Sequence, residues 1–461
     1  MASHNPFRLL RTRRFAPFFA TQALGAFNDN AFRYAMLVLV AFHFGLDERA
    51  VTFYSNIGPA LFILPFFLFS ASAGQLAEKF EKTRIIRFVK LFEIVAMALA
   101  AIGFHAHSVA LLLIILFLMG LHSTVFGPIK YAILPQALEP SELLGGNGLV
   151  EMGTSLAILI GMVGGGSLMA LGHVGPTLAS ILVLAVALSG YAVSRAIPLA
   201  PATAPGLVFR WNPLTETVRV LAIVAHERTL FVAVLGISWF WFFGGVFTAQ
   251  LPNYTKLYLG GADTVSILVL TLFSIGIGTG SLLCEKLSGG RIEVGLVPFG
   301  AIGLTAFGVD LYFARPDPVG VHGLGALAFL TAPGNWRVAL DMTLIGLFAG
   351  FYIVPLFSLV QSRAKASELS RIIAGNNVLN ALFIVAAAVF CIGASNLGVS
   401  IPQLFLITAL ANLLAIALLC AFVPEFAHRL VAWMLRRAAG GSRSADPAGQ
   451  YQQCNQRKPG Q

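Results

Sequence analysis

Charge is what this chain lacks most. Asp, Glu, Lys and Arg make up 11% of its 461 residues, under half of the roughly 25% usual in soluble domains. So few charges cannot solvate the surface of a chain this long, which argues against a water-soluble globule, and the mean hydropathy of +0.82 points to lipid as the solvent. Cysteine is scarce as well. Cys284, Cys391 and Cys420 lie in apolar stretches and Cys454 in a polar tail, at spacings that suit neither a metal site nor a redox pair. No Gly-Lys-Ser/Thr phosphate loop is present, so no primary ATP-driven pump is implied. No group of residues reads as an enzyme active site, and no cofactor or metal is expected.

What is abundant fits a membrane. The 46 glycines and 38 phenylalanines suit close helix contacts and lipid-facing surfaces. Apolar windows of about 19 residues predict about twelve spans. Their cores are 15–44, 52–76, 85–104, 109–134, 146–171 and 176–196, then 229–251, 263–284, 294–313, 339–361, 375–395 and 401–423. The basic start (Arg8, Arg11, Arg13, Arg14) leads into a stretch too long for a signal-peptide core.

The net charge of +10 could suggest nucleic acid, but its placement answers to membrane orientation instead. Most Lys and Arg fall at the N-terminus, in 77–87, 197–228, 285–293 and 362–374, and in the tail. Arg49, Lys256, Arg315 and Arg337 lie in the opposite loops. By the positive-inside rule both termini are cytoplasmic. The loop 135–145, with Glu139 and Glu142 and no base, departs from the pattern.

The expected fold is all-α and integral to the membrane, with two six-helix bundles at 1–196 and 229–423. A linker at 197–228 joins them. It opens with Pro198, Pro201 and Pro205 and continues as an amphipathic helix, Pro213 to Arg228, lying on the membrane surface. The tail 424–461 starts basic and becomes Gly/Ser/Gln-rich, as disordered segments do. An internal repeat supports the two bundles. Ser141-Glu142-Leu143 followed by Gly146-Asn147, with Glu151 four residues after Asn147, is echoed by Ser367-Glu368-Leu369 followed by Gly375-Asn376, with Asn380 in the place of Glu151. Parallel repeats about the membrane normal place a substrate site between them near the midplane.

The candidate site residues are the polar groups inside the spans. Asn28-Asp29-Asn30 and Arg33 interrupt the first span. A charge at the bilayer centre costs roughly 2.5–3.5 kcal/mol even on lenient scales, so such residues face a bundle interior or a wet cavity. Asp29 and Arg33 are four apart and read either as a neutralising pair or as lining for a polar substrate. With Lys130 and Glu151 they are expected to converge on one wet cavity. Asn376, Asn377 and Asn380 either hydrate that cavity or bond helix to helix. Trp239 to Phe243 read equally as an apolar wall or as lipid-facing surface. His122, beside Ser123, reads as a packed histidine in preference to a proton relay, and Asp341 as interfacial. Gly161, Gly164, Gly165, Gly166, Gly276, Gly278 and Gly280 read as faces that part for a headgroup entering sideways, or as static packing.

Gly74-Gln75-Leu76-Ala77-Glu78-Lys79-Phe80-Glu81-Lys82-Thr83-Arg84, between the second and third spans, resembles the signature of the major facilitator superfamily, with Glu78 in place of the usual Asp. It makes Gly74, Glu78, Lys82 and Arg84 candidate gating residues. Ala26-Phe27-Asn28-Asp29-Asn30-Ala31, Gly127-Pro128-Ile129-Lys130-Tyr131, Gly146 to Glu151 and Gly350 to Leu356 are similar to the bacterial lysophospholipid transporter family. The nearest wording is that of the transporter domain fused ahead of a lysophospholipid acyltransferase and an acyl-ACP synthetase. The resemblance implies a major facilitator fold in the bacterial inner membrane. It implies a flippase that moves lysophosphatidylethanolamine and lysophosphatidylglycerol inward for reacylation, coupled functionally to such an acyltransferase. It carries over Asp29, Lys130 and Glu151 as cavity charges. Where the free-standing transporters have an arginine in the seventh span this chain has Ala249-Gln250, which shifts phosphate contact toward Arg33 or Lys130 and brings Gln250 into the candidate set. A proton-coupled exporter of small amphiphiles and a scaffold that presents lysolipid without moving it are the competing readings. Membrane lipids are expected partners and nucleic acid is not.

Overall fold

The computed structural model describes residues 5–42, 48–314 and 323–438. Arg315, Cys454 and the Gly/Ser/Gln-rich part of the tail lie outside the described residues, as does the side chain of Arg49. Twelve long helices account for most of the rest. In the first half they are α1 Ala16–Phe42, α2 Glu48–Lys79, α3 Lys82–His105, α4 Val109–Ala132, α5 Leu143–Met169 and α6 Gly175–Ser194. In the second they are α7 Arg228–Leu257, α8 Asp263–Ser288, α9 Leu296–Phe313, α10 Asn335–Arg363, α11 Leu369–Asn396 and α12 Ile401–Phe422. Each coincides with one expected span; α2, α7, α8, α10 and α11 overrun it and the others match it within a few residues, because a helix does not stop where the hydrocarbon does. Its ends stop where capping chemistry allows. Ser108 accepts from Leu111 N at the start of α4, Ser400 and Gln403 form a reciprocal capping box on α12, and Gly289 takes the left-handed conformation that closes α8. Among the described residues no named strand occurs.

Among the described residues, ten of the twelve helices are long and apolar enough by themselves to cross a membrane. The other two, α1 and α3, are diluted by polar residues. They are also the helices that carry Asp29, Arg33, Lys90 and Glu93. They are held in place by neighbours: α1 packs along α5 and α6, and α3 against α6 and α4.

Within each half, a glycine helix face lets two backbones meet. A Cβ on Gly161 or Gly165 would collide with the carbonyls of Phe27 and Ala31 on α1, and one on Gly276 or Gly280 with those of Thr343 and Leu347 on α10. These glycines pack inside their own halves. Gly278 alone of the seven looks across, at Met152 of α5.

Between the halves, α5 lies along α8 and α2 along α11. At the end where the helices of the 2–3 loop meet, the halves are also joined directly. Tyr131 of α4 stacks on Phe357 of α10 with ring centres 4.1 Å apart, and Gln361 donates to the Tyr131 carbonyl (3.0 Å) and exchanges bonds with Asn147. Glu78 accepts from the backbone N–H (3.0 Å) and guanidinium (2.6 Å) of Arg371. At the opposite end α1 and α7 do not pack comparably among the described residues. Among the described residues the structure is therefore closed at one end and open at the other. The linker spans the closed end, bonding Gln75 to Arg210 and packing Val220 and Val224 of its helix Pro213–His226 onto Gly375. The N-terminal turn Pro6–Arg11 and the helix Glu425–Ala438 pack at the same end, the latter through Arg436 to Glu293 (2.8 Å).

Candidate functional site

The first half holds a layer of polar side chains at mid-helix, drawn from α1, α3 and α4. Its centre was not expected. Lys90 and Glu93 of α3, each 1% exposed, pair at 2.6 Å. Lys90 fits because two helices yield space: its ammonium lies where a Cβ on Gly25 would be, its stem passes Gly190, and it sits over the Phe126 ring at 5.7 Å. Asn28 donates to the free Glu93 oxygen at 2.7 Å. Asp29 accepts from Ser123 at 2.6 Å, and His122 stands between the two acids. The signal was in the sequence. Lys90 and Glu93 are charges inside an apolar span just as Asp29 is, but near the basic end of that span, where a lysine looks ordinary.

Asp29 and Arg33 do not pair. Arg33 donates instead to Asn30 Oδ1 at 2.8 Å and lies near the Tyr34 and Phe62 rings, while Asn30 donates back to the Ala26 carbonyl. A four-residue spacing fixes only the helix face. A shorter neutral acceptor three residues away, and an acid with partners on another helix, decide the pairing.

A second group lies further toward the closed end. Lys130 donates to Thr154 Oγ1 (2.8 Å), which donates to Gln22 Oε1 (2.9 Å). Glu151 accepts from the Tyr131 hydroxyl (2.6 Å). The four expected cavity charges are thus all half-buried, yet they are strung out rather than convergent. Arg33 is four residues outward of Asp29 on α1, and Lys130 is eight residues inward of His122 on α4. At 1.5 Å per residue the backbone positions of Arg33 and Lys130 are about 18 Å apart along the bundle. Gln22, seven residues inward of Asp29, independently puts the Lys130 group at that depth.

In the second half the polar groups at mid-helix are neutral and bond one another, and the buried acids lie toward the helix ends. Asn380, with its amide turned so that both ends are satisfied, donates to Ser238 Oγ (2.9 Å) and the Asn376 carbonyl (3.1 Å). It accepts from Trp241 Nε1 (3.2 Å) and Asn376 Nδ2 (2.9 Å). Asn412 accepts from Trp239 and donates to the Ala301 carbonyl and Thr305. Asn377 meets Gly127 across the halves. Gln250 stands by the Cys391 thiol, away from both charged groups. The aromatic run is largely core: Trp239 stacks on Phe242, Phe243 on Phe247, Phe240 on Tyr352, and only Trp241 is well exposed. Asp341, near the outer end of its helix as expected from its place in the span, is buried next to the Asp310–Arg337 pair.

The expected gating residues gather at the closed end. Gly74 packs against Ala374 so closely that a Cβ would lie 2.7 Å from that of Ala374, and Glu78 carries the Arg371 pair. Lys82 is buried beside Glu78, and its backbone N–H holds the linker at Ala200. Arg84 is 83% exposed and pairs only with Glu81. Glu285, at the end of α8, presses its carboxylate on Gly145 of α5 as the symmetric counterpart of Glu78 at α11.

Comparison with known proteins agrees with this architecture. The human organic anion transporter MFSD10 (TETRAN) superposes with a TM-score of 0.68 at 16% identity, over 88% of this chain and 99% of that one. The transporter FucP in its outward conformation superposes at 0.67 and 15%, over 89% and 99%. In sequence, the lysophospholipid transporter LplT of Enterobacter sp. (strain 638) is 29% identical over 75% of this chain and 79% of its own length. That of Escherichia fergusonii is 30% identical over 75% and 79%. The family model of the Major Facilitator Superfamily matches residues 18–388. With twelve helices in two halves, the signature turn at Gly74 to Arg84 and relatives aligned over most of its length, the chain belongs to the Major Facilitator Superfamily and, within it, to the family of the lysophospholipid transporter LplT.

Proposed function

We propose that this protein is a lysophospholipid transporter of the bacterial inner membrane. It moves lysophosphatidylethanolamine and lysophosphatidylglycerol to the cytoplasmic leaflet by alternating access, where an acyltransferase restores the second chain. The basic loops at the closed end support a cytoplasmic location for that end and for both termini by the positive-inside rule.

One observation carries the reading: two half-buried cations on the first half have only neutral hydrogen-bond partners. Arg33 donates to Asn30 and Lys130 to Thr154, while Lys90, a fully buried cation of the same half, is matched by Glu93. A cation in a low-dielectric site with only a hydroxyl or amide acceptor has capacity for a phosphate, and such charge-assisted bonds are the strong ones. With backbone positions about 18 Å apart along the bundle, Arg33 and Lys130 make an outer and an inner station for the same headgroup. Glu151, next to the inner one, suits an ethanolamine ammonium.

The test is flipping of a fluorescent lysophosphatidylethanolamine in phosphatidylethanolamine/phosphatidylglycerol liposomes. Wild type moves it and empty vesicles do not. Lys130→Ala binds it much more weakly than Lys130→Arg does, since Arg keeps the charge. Equal affinity of wild type and Lys130→Ala refutes the inner station, and binding without flipping favours a scaffold.

A further inference from the structure

Each half is followed by a segment that straps its own inner loop, and the two straps are built alike. After α6 the linker crosses the 2–3 loop. Lys82 donates its N–H to the Ala200 carbonyl (3.0 Å), Thr83 donates its hydroxyl to the Pro198 carbonyl (2.7 Å), and the Glu78 carbonyl accepts from the N–H groups of Thr203 and Ala204. After α12 the helix Glu425–Ala438 crosses the loop between α8 and α9. Trp433 Nε1 (3.0 Å) and Arg437 (3.1 Å) donate to the Leu287 carbonyl, and Gly295 meets the backbone of Arg429. This helix lies across the bundle, not along it. It reaches the end of α10 through Glu425 and Arg363 (3.3 Å), the start of α9 through Trp433 and Phe299 (ring centres 5.2 Å apart) and the end of α8 at Leu287. All of these are helix ends, so it lies at headgroup depth, where the spans leave the hydrocarbon.

Its three sides differ. Phe426 and Trp433 are buried on the bundle, and Leu430 packs with them. Glu425, Arg429 and Arg436 share a second side, where Arg429 meets Glu425 (3.8 Å) and Arg436 meets Glu293 (2.8 Å). On the third, Val431, Met434 and Leu435 stand 51%, 46% and 64% exposed. That patch continues a lipid-facing surface. Leu410, Leu414, Leu418 and Phe422, four apart along α12, are all exposed, and the last of them comes three positions before the helix begins. The charge beside the patch is mostly of one sign: Lys286, Arg291, Arg429, Arg436 and Arg437 stand against Glu293 and Glu425. An apolar patch edged with bases at headgroup depth is the pattern of a helix that lies in the interface of an anionic leaflet. The first half repeats it. On the linker helix Val220 and Val224 are buried, while Leu214, Val218 and the preceding Trp211 are exposed beside Arg210 and Arg219.

We infer that the helix Glu425–Ala438 is an anchor for anionic phospholipid of the cytoplasmic leaflet. Val431, Met434 and Leu435 enter among the acyl chains, and the bases beside them take the headgroups. The linker helix does the same for the first half through Trp211, Leu214 and Val218. Both anchors bear on the contacts that close the protein. The linker holds the carbonyl of Glu78, whose carboxylate takes Arg371 of the other half. Leu287, held by the helix, is two residues from Glu285, whose carboxylate meets Gly145 of the other half. Anionic lipid at the anchors therefore favours the closed end. The choice of leaflet and any effect on flipping rest on the transport reading above; the binding itself does not.

The experiment uses the full chain in two kinds of vesicle, phosphatidylcholine alone and an equal mixture of phosphatidylcholine and phosphatidylglycerol. An environment-sensitive fluorophore is attached at Leu435→Cys, with Cys420 and Cys454 replaced by Ser and with Cys284 and Cys391 buried. Its emission shifts to the blue in the mixture, and high salt reverses part of the shift by screening the bases. Unlabelled wild type melts several degrees higher in the mixture than in phosphatidylcholine. Val431→Ser with Leu435→Ser, at two positions turned away from the bundle, loses that gain while melting like wild type in phosphatidylcholine. Emission and melting temperature that ignore the lipid overturn the proposal, and so does a gain that survives in the double variant. A label that stays open to aqueous iodide in the mixture also overturns it, and gives the patch to a soluble protein instead. If the double variant melts low in phosphatidylcholine as well, the labelled single variant decides by its emission. Anchoring without flipping in either vesicle upholds the anchor and sinks the transport reading.

Discussion

The two halves share a fold and differ in what fills them. In the second half the buried apolar residues form one continuous cluster from Leu230 to Trp433. In the first they form two. One, around Phe32, Met97, Leu116 and Val183, lies toward the open end, and the other, around Phe15, Ile86, Ile129 and Leu149, toward the closed end. Between them runs the layer of Asn28, Asp29, Lys90, Glu93 and His122. The second half keeps neutral amides at comparable places, Asn376, Asn380 and Asn412, each bonded to its own helices. A repeat that supplies two similar scaffolds has thus been given two tasks. The charged half has groups able to answer a headgroup, and the neutral half offers a rigid wall to rock against. The substitution of Asn380 for Glu151 in the repeat is the same division seen at one position.

The largest effect should come from breaking the charged layer. Removing one member of a buried ion pair costs about 3–5 kcal/mol, because the other charge is left without compensation. Lys90→Ala and Glu93→Ala should therefore lower the melting temperature of detergent-solubilised protein severely, whereas Lys90→Met with Glu93→Leu should recover much of the loss. Asn412→Ala, in the neutral half, should cost only about 1–3 kcal/mol for its lost bonds. If Glu93→Ala proves no worse than Asn412→Ala, the contrast between the halves is not energetic.

Much of this was open to reading from residues alone, and the reasons it stops are physical. The twelve helices are legible because a bilayer demands about 20 apolar residues of each span. Even α1 and α3, which fall short alone, stand out by position between clear neighbours. Asp29, Lys130 and Glu151 are legible as charges where charge is expensive. Depth and partner are not. Whether two such charges share a cavity or lie three turns apart depends on the opposite directions of α1 and α4 and on their stagger. Whether Asp29 turns to Arg33 or to Ser123 depends on a side chain 94 residues away. The division of labour at Glu78 and Glu285 likewise needs the halves brought together.

Next in size are the crossings inside each half, where the halves should behave alike. Gly165 meets the Ala31 carbonyl and Gly280 the Leu347 carbonyl, both backbone atoms that cannot swing aside. Overpacking of this kind costs about 1–3 kcal/mol or somewhat more. Gly165→Ala and Gly280→Ala should lower the melting temperature by similar amounts. A large loss in one and none in the other would show that the two scaffolds are not equivalent.

The smallest effect is expected where the halves face each other. Gly278 of α8 looks at Met152 of α5, and an added Cβ would come within 3.0 Å of the Met152 Cγ. The neighbour here is an unbranched side chain with three rotatable bonds, the kind that moves aside most easily. Gly278→Ala should therefore change stability by under about 1 kcal/mol, well below the effect at Gly280 only two residues away. Its consequence should appear in rate. The α5–α8 contact must shift whenever the closed end opens, so a thicker contact slows lysolipid flipping while leaving binding intact. A melting temperature as low as that of Gly280→Ala would mean that this interface is packed as rigidly as the interior of a half. Alternation would then have to come from bending within the halves rather than from one rocking against the other.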